Sequence, residues 1–147
     1  TAQLQIAIES DLPVVIHSRD ADQDMSDILE EFAPRMPRKG VIHSFTSGQA
    51  LAETALELGF YLGFNGIITF KNAANVRDIL ALTPTERLLL ETDSPYLTPV
   101  PFRGKPNAPH LLGLVAKTMA EIKEIGEEDL LQIINSNSQT LFWQRHS

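Results

Sequence analysis

Residues 13–17 read PVVIH and residues 41–45 read VIHSF. Both stretches are short, β-branched and apolar up to a histidine. An unbroken apolar run too short for a helix is a strand covered on both faces, as in a parallel sheet. Working outward, residues 2–10 place Leu4, Ile6 and Ala7 among polar neighbours and predict a helix. Residues 21–33 set Met25, Ile28, Leu29 and Phe32 on one helical stripe. PRMPRKG at 34–40 is a loop, residues 48–58 a helix, FYLGFNG at 60–66 a third strand and 72–82 a helix. RLLLET at 87–92 is the fourth strand. A Pro/Gly-rich loop over 95–109 leads to helices over 110–124 and 127–143, which cover the outer face of the sheet. Strands alternating with amphipathic helices predict an α/β fold with right-handed crossovers. Four such units make a small open sheet, or half of an eight-stranded barrel. The chain opens within a helix and without a starting strand, so the expectation is a beginning that lies inside something longer.

A length of 147 residues suits one domain with a fair core. Apolar residues at 43% and charged residues at 21% are an ordinary folded composition. No apolar run reaches the roughly 18 residues of a membrane span, and the first residues lack a signal-like pattern. The absence of cysteine excludes disulfides, cysteine-ligated zinc and thiol nucleophiles, and fits a cytoplasmic location. The net charge of −7 opposes indiscriminate binding to phosphate backbones. A nucleic-acid substrate then needs metal ions or a local basic patch.

In parallel α/β proteins chemistry gathers at the carboxyl ends of the strands. Here those ends read IHSRD, IHSF, FNG and ETDSP. His17 and His43 each follow Val-Ile and lie 26 residues apart, one strand, helix and return loop. They are expected side by side at one mouth, with Asp93 two strands further on. Imidazole and carboxylate suit zinc and other divalent first-row metals, so this set is a candidate centre that activates water. One histidine after a strand is ordinarily a hydrogen-bonded loop residue; two in matched contexts with an acid beyond favour ligation. Glu91 shares the face of Asp93 in extended backbone and is a second candidate ligand, unless Thr92 and the turn break the register. Asp20 either caps the helix that follows or touches the metal. His110 begins a helix, and His146 is terminal. Cations near the mouth are Arg19, Lys71, Arg103 and Lys105; the arginines suit bidentate phosphate contacts, against the alternative of solvated surface charge. Gly59, Gly63 and Gly66 form no phosphate-binding glycine motif; Gly63 and Gly66 instead keep the third strand slim beneath a ligand. Phe45, Phe64 and Phe70 are core by default.

PVVIHSRDA at 13–21, GVIHSFTSG at 40–48, GFYLGFNGIITFKNA at 59–73 and RLLLETDSPYLTPVPFRGKPN at 87–107 resemble the TatD family of metal-dependent deoxyribonucleases, within the metallo-dependent hydrolase superfamily. The resemblance runs over nearly the whole chain in order and spacing. It implies a TIM barrel, (β/α)8, of which residues 1–147 supply the last four units, strands five to eight, plus the C-terminal helices. It implies His17, His43 and Asp93 as metal ligands and Asp93 also as proton acceptor; beside such a centre Arg19 and Arg103 are expected, from guanidinium chemistry, to be substrate-binding residues. It further implies two divalent ions (Mg, Mn or Zn) and DNA as substrate, cleaved at phosphodiester bonds by a metal-activated water. The family's first-strand His-x-His pair and fourth-strand glutamate have no counterpart here, and NAP at 107–109 stands where the family often has Asn-Glu-Pro. Two further readings stay open: amide or ester hydrolysis with the same ligands, and an inactive fragment. A half-barrel leaves two sheet edges open, and open edges invite self-association.

Overall fold

In the computed structural model, which describes residues 1–143, four strands form one sheet. They are β1 (Val14–Ile16), β2 (Gly40–Ile42), β3 (Tyr61–Phe64) and β4 (Leu88–Leu90), all parallel and paired in chain order. Parallel neighbours need a crossover, and here each crossover carries a helix. α1 (Ala2–Glu9) precedes β1, and α2 (Asp22–Phe32), α3 (Gln49–Glu57) and α4 (Ala74–Leu82) join the strands. α5 (Leu112–Lys123) and α6 (Glu127–Phe142) follow β4. His146 lies outside the described residues. No helix among the described residues is long and apolar enough to cross a membrane.

The strands are shorter than their apolar runs, yet the ladder continues past them. His43 N–H donates to the Ile16 carbonyl at 2.9 Å, Phe45 N–H to Gly63 at 2.9 Å and Glu91 N–H to Phe64 at 3.0 Å. The residues after each strand are therefore still held in register. The third strand ends in a 3-10 turn over Gly66–Thr69, which the sequence reading merged into strand and loop. Asn65 starts it, its side-chain oxygen accepting from Ile67 N–H at 3.1 Å. The helix expected from residue 110 opens as a 3-10 turn, Pro109–Leu111, which contains His110. Proline suits that first turn because its missing N–H would have had no partner there.

Register fixes which side chains share a face. Ile16, Ile42, Leu62 and Leu88 point one way, into the core beneath the helices. Leu62 and Leu88 are fully buried there, each contributing about 1.5–3 kcal/mol. Val15, Val41, Tyr61, Gly63 and Leu89 point the other way. On that second face Val41, Tyr61 and Leu89 cluster with Leu141 from the last turn of α6. The C-terminal helices thus do more than cover the outer face. At the β1 edge the second face is bare, with Val15 63% exposed. Among the described residues β1 and β4 each have one strand neighbour, and the sheet does not close.

Candidate metal centre

Three chemical groups continue the second face beyond the strand ends. His17 lies two residues past Val15, His43 two past Val41 and Glu91 two past Leu89, so alternation brings them to one side of one sheet edge. His17 Nδ1 and His43 Nε2 approach to 3.1 Å, and their ring centroids lie 5.2 Å apart. His17 is exposed and His43 half-buried. A cleft of about 480 Å³ runs along β1 and reaches His17.

Glu91 sits behind His43. Its Oε1 lies 3.7 Å from His43 Nδ1 and accepts a hydrogen bond from the backbone N–H of Ser44. Burial pushes the Glu91 carboxyl up to about 7; the Asp93 charge adds to the rise, while the Ser44 N–H and Asn65 oppose it. Ser44 adopts φ 49°, and its hydroxyl accepts from Asn65 Nδ2 at 2.8 Å. Asn65, Ser44 and Glu91 form one polar chain whose carboxylate end stands 3.7 Å from His43 Nδ1. The sequence reading offered Glu91 only as a ligand. Its role against His43 depends on which strand lies beside which, although the polar Asn65 at the end of an apolar strand was a legible signal. Gly63 makes room for this arrangement: a Cβ there would stand 2.6 Å from Glu91 Oε2.

Asp93 is exposed and left-handed, at φ 59°. Among the described residues no three histidine, aspartate or glutamate side chains converge closely enough to form a metal cluster. The structure thus joins His17 to His43 and leaves Asp93 outside their contact. Asp20 does not cap α2, because the cap position is Ala21. Its side chain is 95% exposed and lies 3.9 Å from Arg19. Asp22 instead accepts from Gly48 N–H at 2.8 Å, tying the β1 exit to the start of α3.

Arg103 stacks over the Phe70 ring at 3.8 Å and donates to the Thr98 carbonyl at 3.4 Å. It therefore has a structural contact, which the reading of a purely substrate-facing residue did not include. Lys71 and Lys105 are exposed, Lys105 lying 5.6 Å over Phe102. The loop over 95–109 is pinned by Asn107, which donates to the Thr92 carbonyl at 2.7 Å and the Tyr96 carbonyl at 2.8 Å. Gly66 lets the Leu97 carbonyl pass close against the turn after β3. Phe45 and Phe64 are core, as expected, and Phe70 is half-buried at its rim.

Two imidazoles and a braced carboxylate at the carboxyl ends of parallel strands define a parallel α/β protein with a polar strand-end centre. The chain belongs to the TatD related DNase family, whose model matches residues 1–143. It is 45% identical over 139 residues to the uncharacterized metal-dependent hydrolase YcfH of Escherichia coli K12, covering 95% of this chain and 52% of that protein. It is 41% identical over 140 residues to the uncharacterized metal-dependent hydrolase YabD of Bacillus subtilis, covering 95% and 54%. The crystal structure of YjjV, a TatD homolog from Escherichia coli K12, superposes with a TM-score of 0.89 at 34% identity, over 97% of this chain and 54% of that one. The chain spans about half the length of the curated relatives it matches.

Proposed function

We propose that this chain supplies strands five to eight of a (β/α)8 barrel, and that the whole barrel is a cytoplasmic divalent-metal-dependent deoxyribonuclease hydrolysing DNA phosphodiester bonds. The observation that carries this reading is the 3.1 Å approach of the His17 and His43 ring nitrogens. Two nitrogens bound to one ion at about 2.1 Å, with angles between square and tetrahedral, lie about 3.0–3.4 Å apart. The histidine pair therefore fits a first-row divalent ion; Asp93, outside their contact here, is added as a third ligand from this chain on the family resemblance alone. A pair of divalent ions (Mg, Mn or Zn), when bound, would lower the pKa of water and offset phosphate charge. Glu91 holds His43 from behind, as carboxylates commonly orient ligating imidazoles. Asp93, exposed at the strand exit, takes the proton of the attacking water. Arg19 and Arg103 orient phosphate oxygens. The family's remaining ligands, a first-strand His-x-His pair and a fourth-strand glutamate, come from the other half.

Cobalt(II) titration tests the centre without relying on activity. Absorption from nitrogen-ligated cobalt is expected for the native chain and lost in His17→Asn and His43→Asn. Undiminished cobalt spectra in both variants would remove the site. DNA, a dinucleotide, an amide and an ester, offered to the intact protein with and without metal, decide between phosphodiesterase and the amide or ester reading. The lack of a three-ligand cluster among the described residues favours a second reading for the isolated chain, an inactive fragment. Cleavage by the 147-residue chain alone would exclude it.

A further inference from the structure

The opposite end of the sheet holds a second polar site. Because the strands are parallel, their amino ends share one edge. Arg38 and Lys39 directly precede β2, Gly59 lies two residues before β3, and Arg87 directly precedes β4. Together with Tyr61, and with Thr140 and Leu141 from the end of α6, they line a cavity of about 220 Å³. No carboxylate is among the lining residues described.

The charges there are poorly compensated. Arg38 is only 6% exposed, and its guanidinium donates to the Leu141 carbonyl. Among the described residues neither Arg38 nor Arg87 has a carboxylate at ion-pair distance. Arg87 lies 5.1 Å over the Tyr61 ring. Lys39 donates to the Ala33 and Met36 carbonyls at 2.5 and 2.9 Å, and burial lowers its pKa. A buried cation without an anion is strongly unfavourable; Arg38 is such a cation, and the half-buried Lys39 and Arg87 stand beside it.

We propose that this pocket is a binding site for a phosphate group, either free phosphate or the head of a small phosphomonoester. Guanidinium forks match tetrahedral oxyanions bidentately. Arg38 and Arg87 come from different strand starts, and the Tyr61 and Thr140 hydroxyls add donors. At about 220 Å³ the cavity is large enough to admit a phosphate group. It lies at the opposite strand ends from His17 and His43, so it does not depend on the catalytic reading.

Calorimetric titration of the full chain, metal-stripped and at constant ionic strength, tests this with sodium phosphate in one arm and glycerol 3-phosphate in the other. One saturable site is expected. Arg87→Gln, at a half-buried position, should weaken it at least tenfold, and Tyr61→Phe two- to fivefold with the ring packing kept. Lys71→Gln, at an exposed position near the other strand ends, should leave the affinity unchanged. Binding of both anions assigns the phosphate head of a monoester, and binding of phosphate alone assigns the free ion. The proposal is overturned by absent saturation, by equal competition from chloride, by native affinity in Arg87→Gln, or by loss in Lys71→Gln instead.

Discussion

Replacing Gly63 by alanine adds one methyl group at the point where β3 passes the Glu91 carboxylate. The new Cβ would stand 2.6 Å from Glu91 Oε2, 3.0 Å from Glu91 Cδ and 3.3 Å from the His43 Cα. Gly63 is outside the left-handed region, so alanine meets no backbone penalty. What must yield is the end of the Glu91 side chain, which then releases the Ser44 N–H. At pH 8, where Glu91 is ionised, losing that charge-assisted hydrogen bond costs about 1.5–3 kcal/mol. The reduced freedom of the unfolded alanine chain returns about 0.4–1 kcal/mol. The net expectation is a loss of about 1–2 kcal/mol, or about 2–8 °C in Tm for a chain of this size. Urea and thermal denaturation of native, G63A, E91A and the double variant measure it as a cycle. In the E91A background the Gly63 change should become neutral or mildly stabilising. An equal loss in both backgrounds, or a gain with Glu91 present, would refute the packing argument.

Gly66→Ala is expected to be worse, at about 3 kcal/mol or more, because the obstacle is the Leu97 backbone carbonyl at 1.9 Å rather than a flexible side chain; faster proteolysis within residues 95–109 reads the released loop. The raised carboxyl of Glu91 makes the metal-free chain lose stability as pH rises from about 4.5 to about 7, because the unfolded state gives up its proton first. Glu91→Gln should flatten that slope, by up to about 3 kcal/mol over the window, and a native-like slope in E91Q would assign the titration elsewhere. Asp93→Asn should keep Tm within about 1 °C, since asparagine tolerates φ 59° at an exposed position, while removing most turnover of the intact enzyme; near-normal kcat at saturating metal contradicts the ligand role. Arg103→Ala should cost about 0.5–1 kcal/mol through lost stacking on Phe70 and also raise KM for DNA, whereas a Tm loss with unchanged KM makes the residue purely structural.

The alternation of apolar strands and amphipathic helices was legible because each element buries a face whose period is written in the chain. The pairing of His17 with His43 was legible for the same reason: two identical strand endings one crossover apart must emerge together. The brace formed by Glu91, Ser44 and Asn65 was hidden, since it joins the ends of three different strands and depends on their register. Leu141 against Tyr61 was hidden too, because helical periodicity does not reveal where the last turn of α6 will bend relative to the sheet. Asp20, open between cap and metal contact in the sequence, does not cap, because its left-handed backbone, at φ 52°, moves the helix start beyond it. The stacked position of Arg103 was equally invisible, as Phe70 is 33 residues upstream and meets it through the turn after β3.

Strands paired strictly in chain order have a consequence for a chain emerging from a ribosome. Among the described residues each strand pairs with the one synthesised just before it, so these pairings need no distant segment. The two imidazoles, from residues 17 and 43, need only β1 and β2 to be paired. The carboxylate that steadies them belongs to residue 91 and arrives roughly 50 residues later, about 3–10 s at ordinary translation speed. A nascent chain that paired β1 with β2 within that interval would carry the histidine pair without its carboxylate neighbour.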